Sequence, residues 1–161
     1  MLDTAIQVNL FMVQYCRTLV ADIADERLAA QPQAGVNHPA WILGHLALTA
    51  DGTLGRLGAP KVLAAEWAPL FTAGSKPSSA RGDYPSKNEL MGAVEDRYHE
   101  LRQQAATATE AQLSQPTTNP RAKQTLPTLR EMIGFLLTGH MGVHLGQLSS
   151  WRRMTGLPPL F

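Results

Sequence analysis

From Asp3 to Ala30 the chain has neither proline nor glycine, and its apolar residues recur at helical spacing: Ile6, Leu10 and Val13, then Val20 and Ala24. This spacing predicts one long helix ending near Gln31-Pro32. The segment QPQAGVNHP that follows is broken by Pro32, Gly35 and Pro39 and reads as a connection. Asn37 is the expected N-cap of a second helix, with Pro39 tolerated in its first turn. That helix runs to about Leu57 and stops at Gly58-Ala59-Pro60. Residues 58–86 hold seven prolines or glycines around the apolar fragments VLAAEW and PLF. They predict a long loop with room for one short helix, and such a loop in a compact domain is often functional or covers something. Ser86-Lys87-Asn88-Glu89 matches a capping box and opens a third helix, with Leu90, Val94, Arg97, Leu101 and Ala105 on one face. Residues 109–128 form a polar connection with three prolines. Thr128 and Glu131 form a second capping box, opening a fourth helix that ends near Thr155, before Gly156-Leu157-Pro158-Pro159. Strand-like alternation of useful length and internal repeats are both absent from the pattern. The expectation is an all-α fold: a four-helix bundle with a long connection between the second and third helices.

Length and charge narrow the class. The 161 residues fit a single domain spanning 1–161. With 14 basic and 13 acidic side chains, the net charge of +1 gives no electrostatic footprint for nucleic acid. Apolar stretches are interrupted well short of the ~20 residues that a membrane span requires. The opening MLDTAIQVNL lacks a basic n-region, so it does not read as a secretory signal. Cys16 is the only cysteine and has no disulfide partner in the chain, which points to a reducing compartment, the cytoplasm.

Five histidines change the picture. At about 100° per residue, Ile133, Leu136, Leu137, His140, His144, Leu148 and Trp151 share one stripe of the fourth helix. His140 and His144 lie near its centre, close enough to hold one ion. An inward imidazole needs a partner for each ring nitrogen, or it incurs a desolvation penalty of ~1–3 kcal/mol. H-x-x-x-H alone is equally compatible with hydrogen-bonded core histidines. His45 falls on the stripe of the second helix with Trp41, Leu48 and Gly52, and ligands converging from facing helices are how bundles build metal sites. Three neutral imidazoles suit Zn²⁺, Ni²⁺ or another late first-row ion, and three protein ligands leave a position for water or substrate. His38, beside the helix cap, reads as a surface or loop residue, and His99 lies off its helix stripe. Both are expected to be non-ligands.

The residues NHPAWILGHLA at 37–47, with GHMGVHLGQLSSWRR at 139–153, resemble the DinB-like superfamily. The likeness spans the chain: an early helix histidine, a long intervening segment, then H-x-x-x-H followed by Gly-Gln-Leu and basic residues. It implies a four-helix bundle with a three-histidine metal site at His45, His140 and His144, commonly a homodimer acting on a small-molecule substrate. Some members are S-transferases that use mycothiol or bacillithiol, and others are described as metal-dependent hydrolases. The resemblance slightly favours a low-molecular-weight thiol as cosubstrate, with Cys16 uninvolved. A hydrolase, or a bundle whose ion is structural, is the alternative. The superfamily's name refers to DNA damage and implies no DNA binding.

An open site of this kind can acidify a bound water or thiol. Around it, Asp51 lies roughly 90° from the stripe centre of the second helix and either reaches the site from behind the ligands or is solvated. Gln147, three residues after His144, lines the pocket or holds a water behind the ligands. Arg97, on the apolar face of the third helix, either snorkels to the rim or binds an anionic substrate group. Arg152 and Arg153 are expected to be solvent-exposed, and Trp41 and Trp151 to make core or dimer contacts. Gly44, Gly52 and Gly55 each cost ~1 kcal/mol in a helix relative to Ala, which close approach of a neighbouring helix would offset.

Overall fold

Start signals and apolar stripes together set the four long helical segments. The computed structural model describes residues 2–118, 120 and 122–160. Helix α1 spans Asp3–Ala21, α2 Pro39–Leu57, α3 Trp67–Phe71, α4 Lys87–Thr107, and α5 Glu110–Leu113. The last long helix comprises α6, Leu129–Phe135, a π turn over Leu136–His140, and α7, Met141–Met154. Named β-strands are absent among the described residues, and so is any helix long and apolar enough to cross a membrane. Helix α2 packs on α4, α3 and α7, while α1 packs on α4, α7 and the π turn. Every residue from His38 to Ala47 is buried, so the first half of α2 is enclosed on all sides. This is the environment a helix apolar around most of its circumference requires.

Both expected capping boxes form, at Ser86/Glu89 and Thr128/Glu131. A third, Thr109/Gln112, opens the short helix α5 inside what the prolines suggested was plain connection. The cap of α2 is His38 instead of Asn37: its Nδ1 accepts from Trp41 N–H at 3.2 Å. His38 is therefore fully buried, not on the surface, and Nε2–H reaches the Ser78 carbonyl at 2.9 Å.

Helix α1 stops nine residues short of Ala30, because tertiary bonds compete successfully for its end. Lys87 Nζ donates to the carbonyls of Ala21 and Ile23, satisfying acceptors left open at the C-terminus. The Asp25 carboxylate takes the Lys87 N–H at 2.7 Å and the Arg81 guanidinium at 2.8 Å. Asp22 takes a bidentate pair from Arg152, which holds its carboxyl below the usual range. Arg152 is thus buried, contrary to its expected exposure, and its Nη1 and Nη2 also donate to the Leu19 and Pro158 carbonyls.

The π turn keeps the last helix in phase with the core. Ile133 and Leu145 are twelve positions apart, which in an uninterrupted α-helix would leave them roughly 120° out of register. One π turn absorbs an extra residue, about 100° of rotation, and both side chains are buried. A buried polar side chain serves the turn. Asn9 Nδ2 donates to the Leu137 carbonyl at 2.8 Å, and Arg102 Nη1 donates to Asn9 Oδ1 at 2.8 Å. A guanidinium has only donors, so Arg102 fixes which way the Asn9 amide faces.

The helix glycines have separate reasons. A Cβ on Gly44 would sit 2.3 Å from the Phe71 ring, and one on Gly55 would sit 2.8 Å from the Lys61 stem. Gly52 has no such neighbour among the described residues. In an open helix Gly44→Ala would stabilise by ~1 kcal/mol. Here the overpacking against Phe71 should outweigh that, giving a net loss of about 1–2 kcal/mol in urea unfolding.

Candidate metal centre

The three histidines of the two predicted helix faces meet. His45 projects from the enclosed half of α2, His140 ends the π turn, and His144 follows one turn later in α7. One ring nitrogen of each lies within 4.8 Å of the others. His45 Nε2 and His140 Nε2 are 3.3 Å apart, and the ring centroids are separated by 4.7–5.3 Å. Two nitrogens bound to one tetrahedral ion at ~2.0–2.1 Å would be about 3.3–3.4 Å apart, so this edge has the right length.

Hydrogen bonds decide which nitrogen of each ring is available. His45 Nδ1 is 2.7 Å from the Phe71 carbonyl, which can only accept, so the proton resides on Nδ1 and Nε2 carries a lone pair. His144 Nδ1 lies 3.1 Å from Gln147 Oε1, and the same oxygen accepts from Asn37 Nδ2 at 3.2 Å. His144 is thereby held with its proton on Nδ1 as well. His140 Nδ1 is buried with no hydrogen-bond partner among the described residues. Burial, and then the neighbouring imidazoles, push His140 down to about 3, and burial and His45 push His144 down to about 4. Burial also lowers His45. All three rings are neutral near pH 7, the form that ligates.

The loop at 58–86 supports this cluster from outside. Besides the Phe71 carbonyl, it supplies Ser75 Oγ to the Trp41 indole N–H at 2.8 Å, and Trp41 stacks on His45 with a 7° interplanar angle. Phe71 approaches α2 because Gly44 leaves room. On its other side the cluster opens onto a cavity of about 450 Å³ bordered by His45 and His140, with Thr49, Thr53, Met132, Phe135 and Arg56 in its wall. Gly52 lines the same cavity, which accounts for its lack of a close neighbour. The described lining contains no carboxylate.

The other expected site residues separate. Gln147 contacts His144 directly. Asp51 is buried, neither behind the ligands nor solvated: it accepts from Val62 N–H at 3.1 Å and lies 3.8 Å from Arg97 Nη1. Arg97 also lies 2.8 Å from Glu100. It faces a cavity with Val62, Leu63 and Trp67, away from the imidazoles. Both residues therefore tie the 58–86 loop to α2 and α4. His99 is exposed. Cys16 is buried, with its thiol pushed up to about 12, so it is no nucleophile. Asn37, Arg56 and the Phe71 carbonyl escaped the sequence reading. Asn37 was legible only as a cap candidate, and a backbone carbonyl leaves no residue-type signal.

The class is thus an all-helical protein with three convergent, neutral imidazoles positioned to hold a metal ion. A family model for the DinB superfamily matches residues 12–148, and the chain belongs to that superfamily. A search of curated proteins gives no match.

Acid should destabilise the metal-free protein. A histidine whose folded pKa lies below its unfolded value of ~6.5 contributes fully above that pH and loses its contribution as pH falls towards the folded value. Chemical denaturation should show stability falling from pH 6.5 towards 4, by up to about 1.4 kcal/mol per pH unit for each such histidine. His140→Leu should flatten the slope.

Proposed function

We propose that this protein is a four-helix-bundle enzyme of the DinB superfamily whose His45, His140 and His144 hold one divalent ion, Zn²⁺ or Ni²⁺, and which transfers a low-molecular-weight thiol to a small-molecule substrate. The carrying observation is the convergence of three neutral imidazoles, two of them with the outer nitrogen engaged by an acceptor. When bound, the ion supplies Lewis acidity that favours the thiolate of the cosubstrate near neutral pH. The chain's own residues do the rest. His45 and His144 are held in the ligating tautomer, Trp41 shields one face of His45, and the cavity beside His45 and His140 admits the reactants. Arg56 supplies a cation at that cavity for an anionic group.

Thiol transfer is preferred on the resemblance of the histidine motifs to the superfamily's thiol S-transferases. Hydrolysis is the second reading, since the same ion would acidify a bound water as it would a thiol, and the described lining offers no carboxylate as a further base for either reaction. The inert, buried Cys16 agrees with a thiol that arrives from solution. We place the protein in the reducing cytoplasm as a homodimer. Phe11 on α1 and Val143 on α7, each 59% exposed, supply apolar surface for a second copy.

Purified protein should carry about one divalent ion per chain by elemental analysis, and His45→Ala, His140→Ala and His144→Ala should each abolish it. Wild-type protein that neither contains nor takes up metal would sink the assignment. In the Co²⁺-loaded protein, added low-molecular-weight thiol should produce a sulfur-to-metal charge-transfer band. A loaded site with no exchangeable position would instead favour a structural ion.

A further inference from the structure

The cavity beside the imidazoles has two unlike ends. His45 and His140 border one of them. Arg56 borders the other, eleven positions further along α2 and therefore roughly 16 Å down the helix axis. Between these ends the wall is apolar: Leu48 from α2, and Met132, Phe135 and Leu136 from the last helix. Thr49 and Thr53 lie on the same face of α2, but each gives its hydroxyl proton to its own helix. Thr49 donates to the His45 carbonyl at 2.7 Å, and Thr53 to the Thr49 carbonyl at 2.9 Å. Their donors are spent, so the α2 wall offers a ligand no side-chain donor until Arg56.

Arg56 itself is half-buried. Among the described residues it makes one hydrogen bond, from Nη2 to the Pro116 carbonyl at 2.7 Å, and no ion pair. A place in the last turn of α2 accounts for a cation as such, because the carbonyl end of a helix favours one. It does not account for a guanidinium set in the wall of a cavity whose described lining holds no carboxylate to neutralise it.

We propose that this cavity selects a substrate with an apolar chain between two functional ends: the reacting group at the imidazoles and a carboxylate at Arg56. The inference rests on the proposed thiol transfer at His45, His140 and His144. A carboxylate suits the subsite because its two oxygens match the planar fork of a guanidinium. The chain between the ends covers apolar wall that water would otherwise wet. Length is part of the selection: an acid of two carbons held at the imidazoles cannot reach a guanidinium about three helical turns away.

Paired probes that differ only in the terminal group test this. In the Co²⁺-loaded protein, ω-mercaptooctanoate and ω-mercaptooctanol are each titrated against the sulfur-to-metal charge-transfer band. The acid should half-saturate the band at a concentration at least roughly 10-fold below that of the alcohol. Arg56→Gln keeps a donor for the Pro116 carbonyl and should bring the two within twofold. Arg153→Gln removes the same charge from an exposed position outside the cavity and should leave the wild-type ratio unchanged. Two thiols that both give the band within twofold of each other in wild type, or an acid preference that survives Arg56→Gln, would overturn the proposal and leave thiol binding in place. Calorimetry with octanoate and octanol separates the opposite case. Octanoate binding roughly 10-fold tighter than octanol in wild type but not in Arg56→Gln, with neither thiol giving a band, would uphold the carboxylate subsite and defeat the thiol reading.

Discussion

A neutral imidazole has one N–H and one lone pair, and burial makes both of them matter. In His45 and His144 the outer nitrogen finds an acceptor, which directs the lone pair of the other nitrogen inwards. Much of the surrounding structure follows from that need. The long connection after α2 carries the Phe71 carbonyl to His45, and α7 carries Gln147 to His144. His140 has no such outer partner among the described residues and depends on its backbone for placement.

That backbone is the π turn, and it links the site to the core. The turn restores the apolar phase of the last helix and ends at His140 in the same five residues. Its carbonyl at Leu137 bonds to Asn9 on α1, which Arg102 on α4 orients. Three helices thus take part in positioning one imidazole. A π turn in a long helix is otherwise costly in hydrogen-bond geometry and is commonly found at functional sites.

Close approach gives the second support. Gly44 admits the Phe71 ring to within a distance no Cβ would allow, and the same Phe71 offers its carbonyl to His45, one residue along α2. The glycine, the loop and the histidine form one unit. Asp51 and Arg97 clamp the near end of that loop to α2 and α4, which is a structural duty away from the imidazoles.

Local chemistry decided what was legible beforehand. Pro39, Gly58 and the Ser86 and Thr128 capping boxes act within a few residues, so the limits of α2, the start of α4 and the start of the last helix could be read directly. The i, i+4 spacing of His140 and His144, together with the stripe of α2, located three convergent histidines for the same reason. Long-range competition decided the rest. Residues 22–30 have helical composition, yet Lys87, Arg81 and Arg152 claim their carboxylates and carbonyls, so α1 ends at Ala21. Arg152 looks like a surface cation until Asp22, 130 positions away, is brought beside it. The π turn arises from matching two core surfaces, and the His45 tautomer depends on the Phe71 carbonyl brought in by the long connection. Sequence by itself determined the residue types and helix faces, because these depend on near neighbours. Only the tertiary structure decided which nitrogen of each ring faces the centre, because hydrogen-bond partners are set by packing across the fold.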